Sequence, residues 1–88
     1  MVTIRSQARA RFRFAGAIDP GDMVRFAASC VGRLDLRLES RLDAESVVCE
    51  VLGQPDLVDA FEMACLLGPP GSLVTRCERV DLPPGGAR

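Results

Sequence analysis

The chain has 88 residues, of which 48% are hydrophobic and 26% charged, as is typical of one small globular domain rather than a disordered or membrane-embedded protein. The formal net charge is −1, so the basic excess of nucleic-acid and membrane-surface binders is absent. All 11 basic residues are arginine, and the sequence contains no lysine, histidine or asparagine. Mechanisms that need a histidine base or a lysine Schiff base are therefore excluded. No targeting segment is evident, and we expect a cytoplasmic protein.

The four cysteines are expected to be reduced thiols in the core. None belongs to a Cys-x-x-Cys pair, and each falls on an apolar position of its segment. Because there is no histidine and no close cysteine pair, we expect no metal site, and nothing in the sequence calls for a cofactor. The cysteines are Cys30, Cys49, Cys65 and Cys77.

The first strand and the first helix are predicted from their periodicity. Residues 1–7 are expected to be a flexible lead-in, and from Ala8 apolar residues alternate with arginines, which indicates a strand with one buried face. Residues 16–22 interrupt this pattern, and apolar residues then recur at three- and four-residue spacing, which predicts a helix. Asp19 followed by proline is a helix start signal, and Gly32 is the expected terminator.

The next two strands are predicted to form a hairpin. Leu34, Leu36 and Leu38 alternate with charged residues, which indicates a second strand, and residues 47–52 indicate a third. The link 41–46 is short enough to join them as an antiparallel pair.

The second helix is predicted to start at residues 53–56 and to end at the Gly-Pro-Pro-Gly run 68–71. Its expected apolar face carries Leu57, Phe61, Ala64 and Cys65. A last strand is predicted over Leu73–Leu82, and the three-residue spacing of its apolar residues predicts a bulge. Residues 83–88 are expected to be a flexible tail.

This order of elements predicts an α+β fold of the ferredoxin-like βαββαβ type, spanning residues 8–82. We expect a four-stranded antiparallel sheet with two helices on one face. On the open face, Arg9, Arg11, Arg13 and Arg37 should form a cross-strand charge ladder with the acidic residues Asp35, Glu39 and Glu50. Since the strand phenylalanines point to the core, we expect no nucleic-acid binding there.

A resemblance to a known family lies in the second half of the chain. The run 67–76, Leu-Gly-Pro-Pro-Gly-Ser-Leu-Val-Thr-Arg, resembles the turn that closes the second helix of bacterial acylphosphatases and leads into their final strand. The preceding helix agrees, and Gly16 matches the glycine that opens the family's Gly-Arg-Val-Gln-Gly-Val-x-Phe-Arg signature. The resemblance spans roughly residues 8–82. Further matching residues are Gly53, Leu57, Val58 and Phe61.

Acylphosphatases hydrolyse carboxyl-phosphate mixed anhydrides without a metal or a covalent intermediate. The resemblance implies a loop whose backbone N–H groups and arginine hold the phosphate, and an asparagine on the second strand that orients the attacking water. The sequence has no asparagine, and Arg41 or Leu42 falls at that position. The implied anion-binding candidates are Gly21, Asp22, Met23 and Arg25.

The arginine of the signature can be aligned in two registers. Without a gap after Gly16, Val24 takes the arginine position, and the helical spacing is kept. With one inserted residue, Arg25 takes it. Asp19 and Asp22 would repel a bound phosphate, each by about 1 to 4 kcal/mol, whereas capping the helix explains both.

We therefore expect an acylphosphatase-like protein without efficient hydrolysis that acts as a binding or interaction module and binds phosphate or an acyl phosphate weakly at best. The alternative is an active acylphosphatase in which Arg25 holds phosphate and Arg41 or Ser40 lies near the water. Association with a protein partner or with a second copy through a sheet edge is compatible with the first hypothesis. No membrane partner is expected.

Overall fold

A computed structural model describes residues 7–43 and 46–83. The described elements are β1 (Ala8–Ala17), α1 (Pro20–Leu34), β2 (Arg37–Asp43), β3 (Ser46–Gly53), α2 (Pro55–Leu67) and β4 (Leu73–Leu82). The strands form one antiparallel sheet in the order β2-β3-β1-β4. The predicted ferredoxin-like βαββαβ arrangement is confirmed. The lead-in 1–6 and the tail 84–88 lie outside the described residues.

The core lies between the helices and one face of the sheet. In the sheet register Phe12 is opposite Cys49 and Phe14 is opposite Val47. Paired residues of antiparallel strands share a face, so these side chains meet α2, where Phe61 packs against Phe12. All five are buried. Among the helices of the described residues, none is long and apolar enough to cross a membrane.

The first helix ends later than predicted. Gly32 is an exposed position inside α1, so its assignment as terminator is wrong. The helix continues to Leu34, and Asp35 ends it in the left-handed conformation, with a φ of 57° and its N–H donating to the carbonyl of Val31. The second strand consequently begins at Arg37, not at Leu34. Tertiary packing explains the difference, because Leu34 completes the apolar stripe that α1 lays against the core.

The second helix and its terminator agree closely with the sequence. Gly68, with a φ of 72°, ends α2, and its N–H donates to the carbonyl of Ala64. The buried stripe is shifted by one residue at its start, because Val58 is buried where Leu57 was expected. Leu57 is half-buried.

The predicted bulge is present at Thr75. Ala15 pairs with Arg76 and Gly16 with Val74, which leaves Thr75 as the extra residue of β4. Gly16 has a φ of +145°, a region that residues with a Cβ rarely adopt. A Cβ there would collide with the carbonyl oxygen of Leu73 and lie 2.7 Å from the N atom of Thr75. The β1 terminus therefore requires glycine.

The charge ladder expected on the outer face, opposite the helices, is confirmed at Glu50, whereas Asp35 ends α1 instead of joining the ladder. The carboxylate of Glu50 on β3 forms ion pairs with Arg9 at 2.9 Å and with Arg11 at 3.1 Å. Arg13 pairs with Asp43 at 2.8 Å. The Arg9 hydrogen bond and, to a smaller extent, Arg11 lower the pKa of Glu50, against the opposing effect of burial.

The cysteines occupy the core positions expected of them. Cys30, Cys49 and Cys65 are buried, Cys77 is half-buried, and all four are free thiols. Burial raises the pKa of Cys65, and it raises the pKa of Cys77 to about 11, so both thiols are protonated near neutral pH.

Candidate functional site

The candidate anion site lies where β1 turns into α1. The strand continues to Ala17 and the helix begins at Pro20, so only Ile18 and Asp19 connect them. Proline suits the first helical position because a backbone N–H there has no acceptor within the helix, so its absence costs no hydrogen bond. The connection is therefore a tight capped turn.

Asp19 caps the N-terminus of α1 with two of its own oxygens. Its carboxylate Oδ1 accepts the backbone N–H of Asp22 at 3.0 Å. Its carbonyl oxygen accepts the N–H of Met23, also at 3.0 Å. Two of the backbone donors that were candidates for an anion are thus already engaged by the protein itself.

Arg25 is also engaged within the same turn. Its guanidinium binds the carboxylate of Asp22, three residues earlier on the helix. The side chain folds back over the helix N-terminus, and its Nη1 lies 3.7 Å from the position a Cβ would take on Gly21. The pair is exposed, with 74% of the Arg25 side chain open to solvent. Such a pair contributes only about 0.3 to 0.5 kcal/mol, so Arg25 is held weakly.

Arg41 lies on the opposite face of the sheet from α1. It pairs with Val48, which in turn pairs with Arg13, and this row belongs to the outer face. Ser40 and Leu42 point to the helix side of β2, where the Ser40 hydroxyl lies 3.7 Å from the Sγ of Cys49. The sheet itself therefore separates Arg41 from Arg25, and the two arginines do not converge on a common point.

A polar cluster that the sequence reading missed lies at the β4 edge. Arg79 sits on the helix face of β4, directly opposite Phe12. Its Nη1 donates to Asp59 at 3.0 Å and to Glu62 at 2.7 Å, both on α2, while its Nε donates to Asp81 at 2.9 Å. These bonds raise the pKa of Arg79, although burial opposes them. The guanidinium also lies 5.4 Å from the centroid of the Phe12 ring.

The signal for this cluster was present in the strand pattern. Arg79 follows Cys77 by two residues, so once Cys77 is assigned to the core face, Arg79 must share that face. The three-residue apolar spacing of β4 predicts Val80 as a core residue instead, but Val80 is on the outer face and half exposed.

Solved structures with the same architecture include two bacterial acylphosphatases. The acylphosphatase from Coxiella burnetii superimposes with a TM-score of 0.82 at 13% sequence identity, over 92% of this chain and 86% of that one. The Bacillus subtilis acylphosphatase gives a TM-score of 0.79 at 18% identity, over 85% and 84% of the two chains. The chain has the acylphosphatase fold.

A third structure places the acylphosphatase fold in a larger protein. Full-length HypF, in its phosphate- and nucleotide-bound form, matches with a TM-score of 0.86 and 12% identity, over 96% of this chain but only 11% of HypF. No family model and no curated protein matches the sequence itself. At these identities the likeness concerns the fold and not the chemistry.

Proposed function

We propose that the protein is a non-hydrolytic binding or interaction module built on the acylphosphatase fold. The observation that carries the proposal is the state of the β1–α1 turn. Asp19 occupies two backbone N–H groups of the helix N-terminus, and Asp22 occupies the guanidinium of Arg25. An incoming phosphate would have to displace one carboxylate and remain beside two, so weak binding is expected.

The absence of a water-orienting group supports the same proposal. The sequence contains no asparagine, and the residue at the corresponding place is Arg41 or Leu42. The Arg41 guanidinium carries only hydrogen-bond donors and so offers water no acceptor, and Leu42 has no polar side-chain atom. A phosphate held at the turn would therefore lack the second part of the catalytic arrangement that the family resemblance implies.

The reduced thiols fit a protein that works in the cytoplasm, where cysteines stay unpaired. The alternative of an active acylphosphatase requires Arg25 to leave Asp22 and hold the phosphate, since its guanidinium lies beside the turn.

Benzoyl phosphate hydrolysis tests the proposal directly. We expect purified protein to hydrolyse it no faster than buffer, with the Bacillus subtilis acylphosphatase as the positive control. Turnover comparable to that control would contradict the proposal and favour the active alternative. In that case Arg25→Ala should abolish hydrolysis.

Phosphate titration followed by amide NMR tests the binding part. In the wild-type protein the amides of residues 21–23 should shift little at millimolar phosphate. Asp22→Asn frees Arg25 and removes one negative charge, and it should lower the phosphate dissociation constant by about fivefold or more, given about 1 to 4 kcal/mol of repulsion. The double variant Asp22→Asn/Arg25→Ala is the matched control and should lose that gain.

A further inference from the structure

The two edges of the sheet are unequal. β2 is the shorter edge strand, with seven residues, and it places Arg37, Glu39 and Arg41 on the outer face. Its short length leaves few backbone groups for a partner strand. β4 is the other edge and has ten residues. Its outward side presents backbone groups that no strand among the described residues covers.

Exposed apolar side chains collect beside the β4 edge. Val80 and Leu73 belong to β4 itself and lie on its outer face, and both are at least half exposed. On α2, Met63 and Leu66 follow Asp59 and Glu62 at four-residue spacing and so share their side of the helix. That side faces β4, because both acids bind Arg79 there. Leu67, next to Leu66, is also exposed.

We propose that the β4 edge is a self-association surface through which two copies form a continuous antiparallel sheet, with the Met63 and Leu66 side of α2 meeting its counterpart. A second copy of the chain is then the partner of the proposed interaction module. The inference rests on the proposed function only in assigning this partner to it. Strand addition at an edge gains main-chain hydrogen bonds, and the adjacent apolar side chains add hydrophobic contact.

Charge decides how the two strands face each other. A two-fold axis at Cys77 places Arg76 opposite Glu78 of the second copy, and symmetry repeats this pair on the other side of the axis. Axes at Arg76 or Glu78 would oppose like charges, which is destabilising. The three central residues of this pairing all follow the bulge at Thr75 and lie in the regular part of β4. They are Arg76, Cys77 and Glu78. The bulge limits how far the ladder extends toward Leu73.

Other axes along β4 fit less well. An axis at Arg79 would bring two guanidinium groups together. An axis at Val80 would pair Arg79 with Asp81 of the second copy, but Arg79 already binds three carboxylates of its own chain. Pro83 directly follows the last residue of β4, and because it has no N–H it ends the hydrogen-bond ladder between the two copies that an axis at Val80 would form. The Cys77 register instead uses Arg76, which has no ion pair among the described residues, and Glu78, which lies 3.8 Å from Arg13.

The oligomeric state tests the proposal. Light scattering coupled to gel filtration should give twice the 9.5 kDa chain mass at high protein concentration, with a shift toward one chain mass on dilution. Leu66→Glu should give the mass of one chain. The matched control is Leu42→Glu, since Leu42 is an exposed leucine of the other edge strand, and it should leave the dimer intact. Circular dichroism confirms that each variant is folded.

A charge swap tests the register. Arg76→Glu or Glu78→Arg alone should weaken the dimer about tenfold or more, because two like-charge pairs replace two opposite ones. The double variant Arg76→Glu/Glu78→Arg restores opposite charges across the axis, so it should recover the wild-type dissociation constant to within about threefold. A single-chain mass at every concentration, an intact Leu66→Glu dimer, dissociation by Leu42→Glu, or no recovery in the double variant would overturn the proposal.

The mass measurement and the hydrolysis assay are independent. A protein that is monomeric and inactive toward benzoyl phosphate would overturn the dimer and leave the proposed function standing. A dimer that hydrolyses benzoyl phosphate would overturn the proposed function and leave the dimer standing.

Discussion

Arg79 should be a main polar contributor to stability, because it joins β4 to α2. We expect Arg79→Met to lower the free energy of unfolding by about 2 to 3 kcal/mol. Methionine keeps the apolar stem over Phe12 but removes the guanidinium. The lost contacts are the bond to Glu62, which is largely shielded from water, two bonds to more exposed carboxylates, and the cation–π contact.

The magnitude follows from the exposure of each partner. The Asp59 and Asp81 side chains are 64% and 75% exposed, so their pairs contribute about 0.5 kcal/mol each. Glu62 is only 27% exposed, and leaving it without a partner costs about 1 kcal/mol. The cation–π contact adds about 0.5 to 1 kcal/mol. For a domain of this size the loss corresponds to about 10 to 20 °C in Tm.

Urea unfolding followed by circular dichroism at low protein concentration is the suitable assay, since the chain has no tryptophan or tyrosine to report by fluorescence. The matched control is Arg37→Met, because Arg37 is an exposed arginine of the opposite edge strand with no ion pair among the described residues. It should change stability by no more than about 0.5 kcal/mol. Equal losses in the two variants, or a loss below about 0.5 kcal/mol for Arg79→Met, would refute the reasoning.

Four further changes test other parts of the fold by the same unfolding assay. Gly16→Ala should cost about 3 kcal/mol, because the new Cβ meets the backbone of β4 at a φ that alanine avoids, whereas Gly32→Ala, which meets nothing within 4 Å inside α1, should stabilise by about 0.5 to 1 kcal/mol. Asp19→Ala removes the cap of α1 and should cost about 1 kcal/mol, and a neutral result would show that the cap is dispensable. The pKa of Glu50 is lowered in the folded protein, so its contribution is present above its ordinary pKa and is lost as the pH falls below about 4.3. Glu50→Gln should therefore be less stable than wild type at pH 7, with the gap closing in acid.

The fold was largely predictable because its signals are local. The alternation of β1 and the Gly-Pro-Pro-Gly turn identify their elements within a few residues of sequence, and Gly68 ends α2 as expected. The end of α1 was not predictable in this way. Gly32 has the conformational freedom of a terminator, but Leu34 gains burial by remaining helical, and that gain depends on the sheet beneath it.

In the candidate site too, some features follow from local spacing and others depend on the strand register. Asp19 and Asp22 are both predicted to cap α1 from their spacing; Asp19 does so, whereas the Asp22 carboxylate binds Arg25 instead. The placement of Arg41 needed the strand register, which assigns it to the face opposite Arg25. No local pattern contains that information, because it depends on which strands are neighbours.

Local sequence signals were sufficient for the order of the elements, the buried faces of β1, β2 and β3 and the capped turn between β1 and α1. These follow from the two periodicities of backbone geometry and from contacts within a few residues. Only the tertiary structure decided that Arg79 binds carboxylates as far as 20 residues away and that β4 lies at an edge beside exposed apolar side chains. Those contacts join segments that the chain brings together only when the sheet closes, so a local pattern cannot encode them.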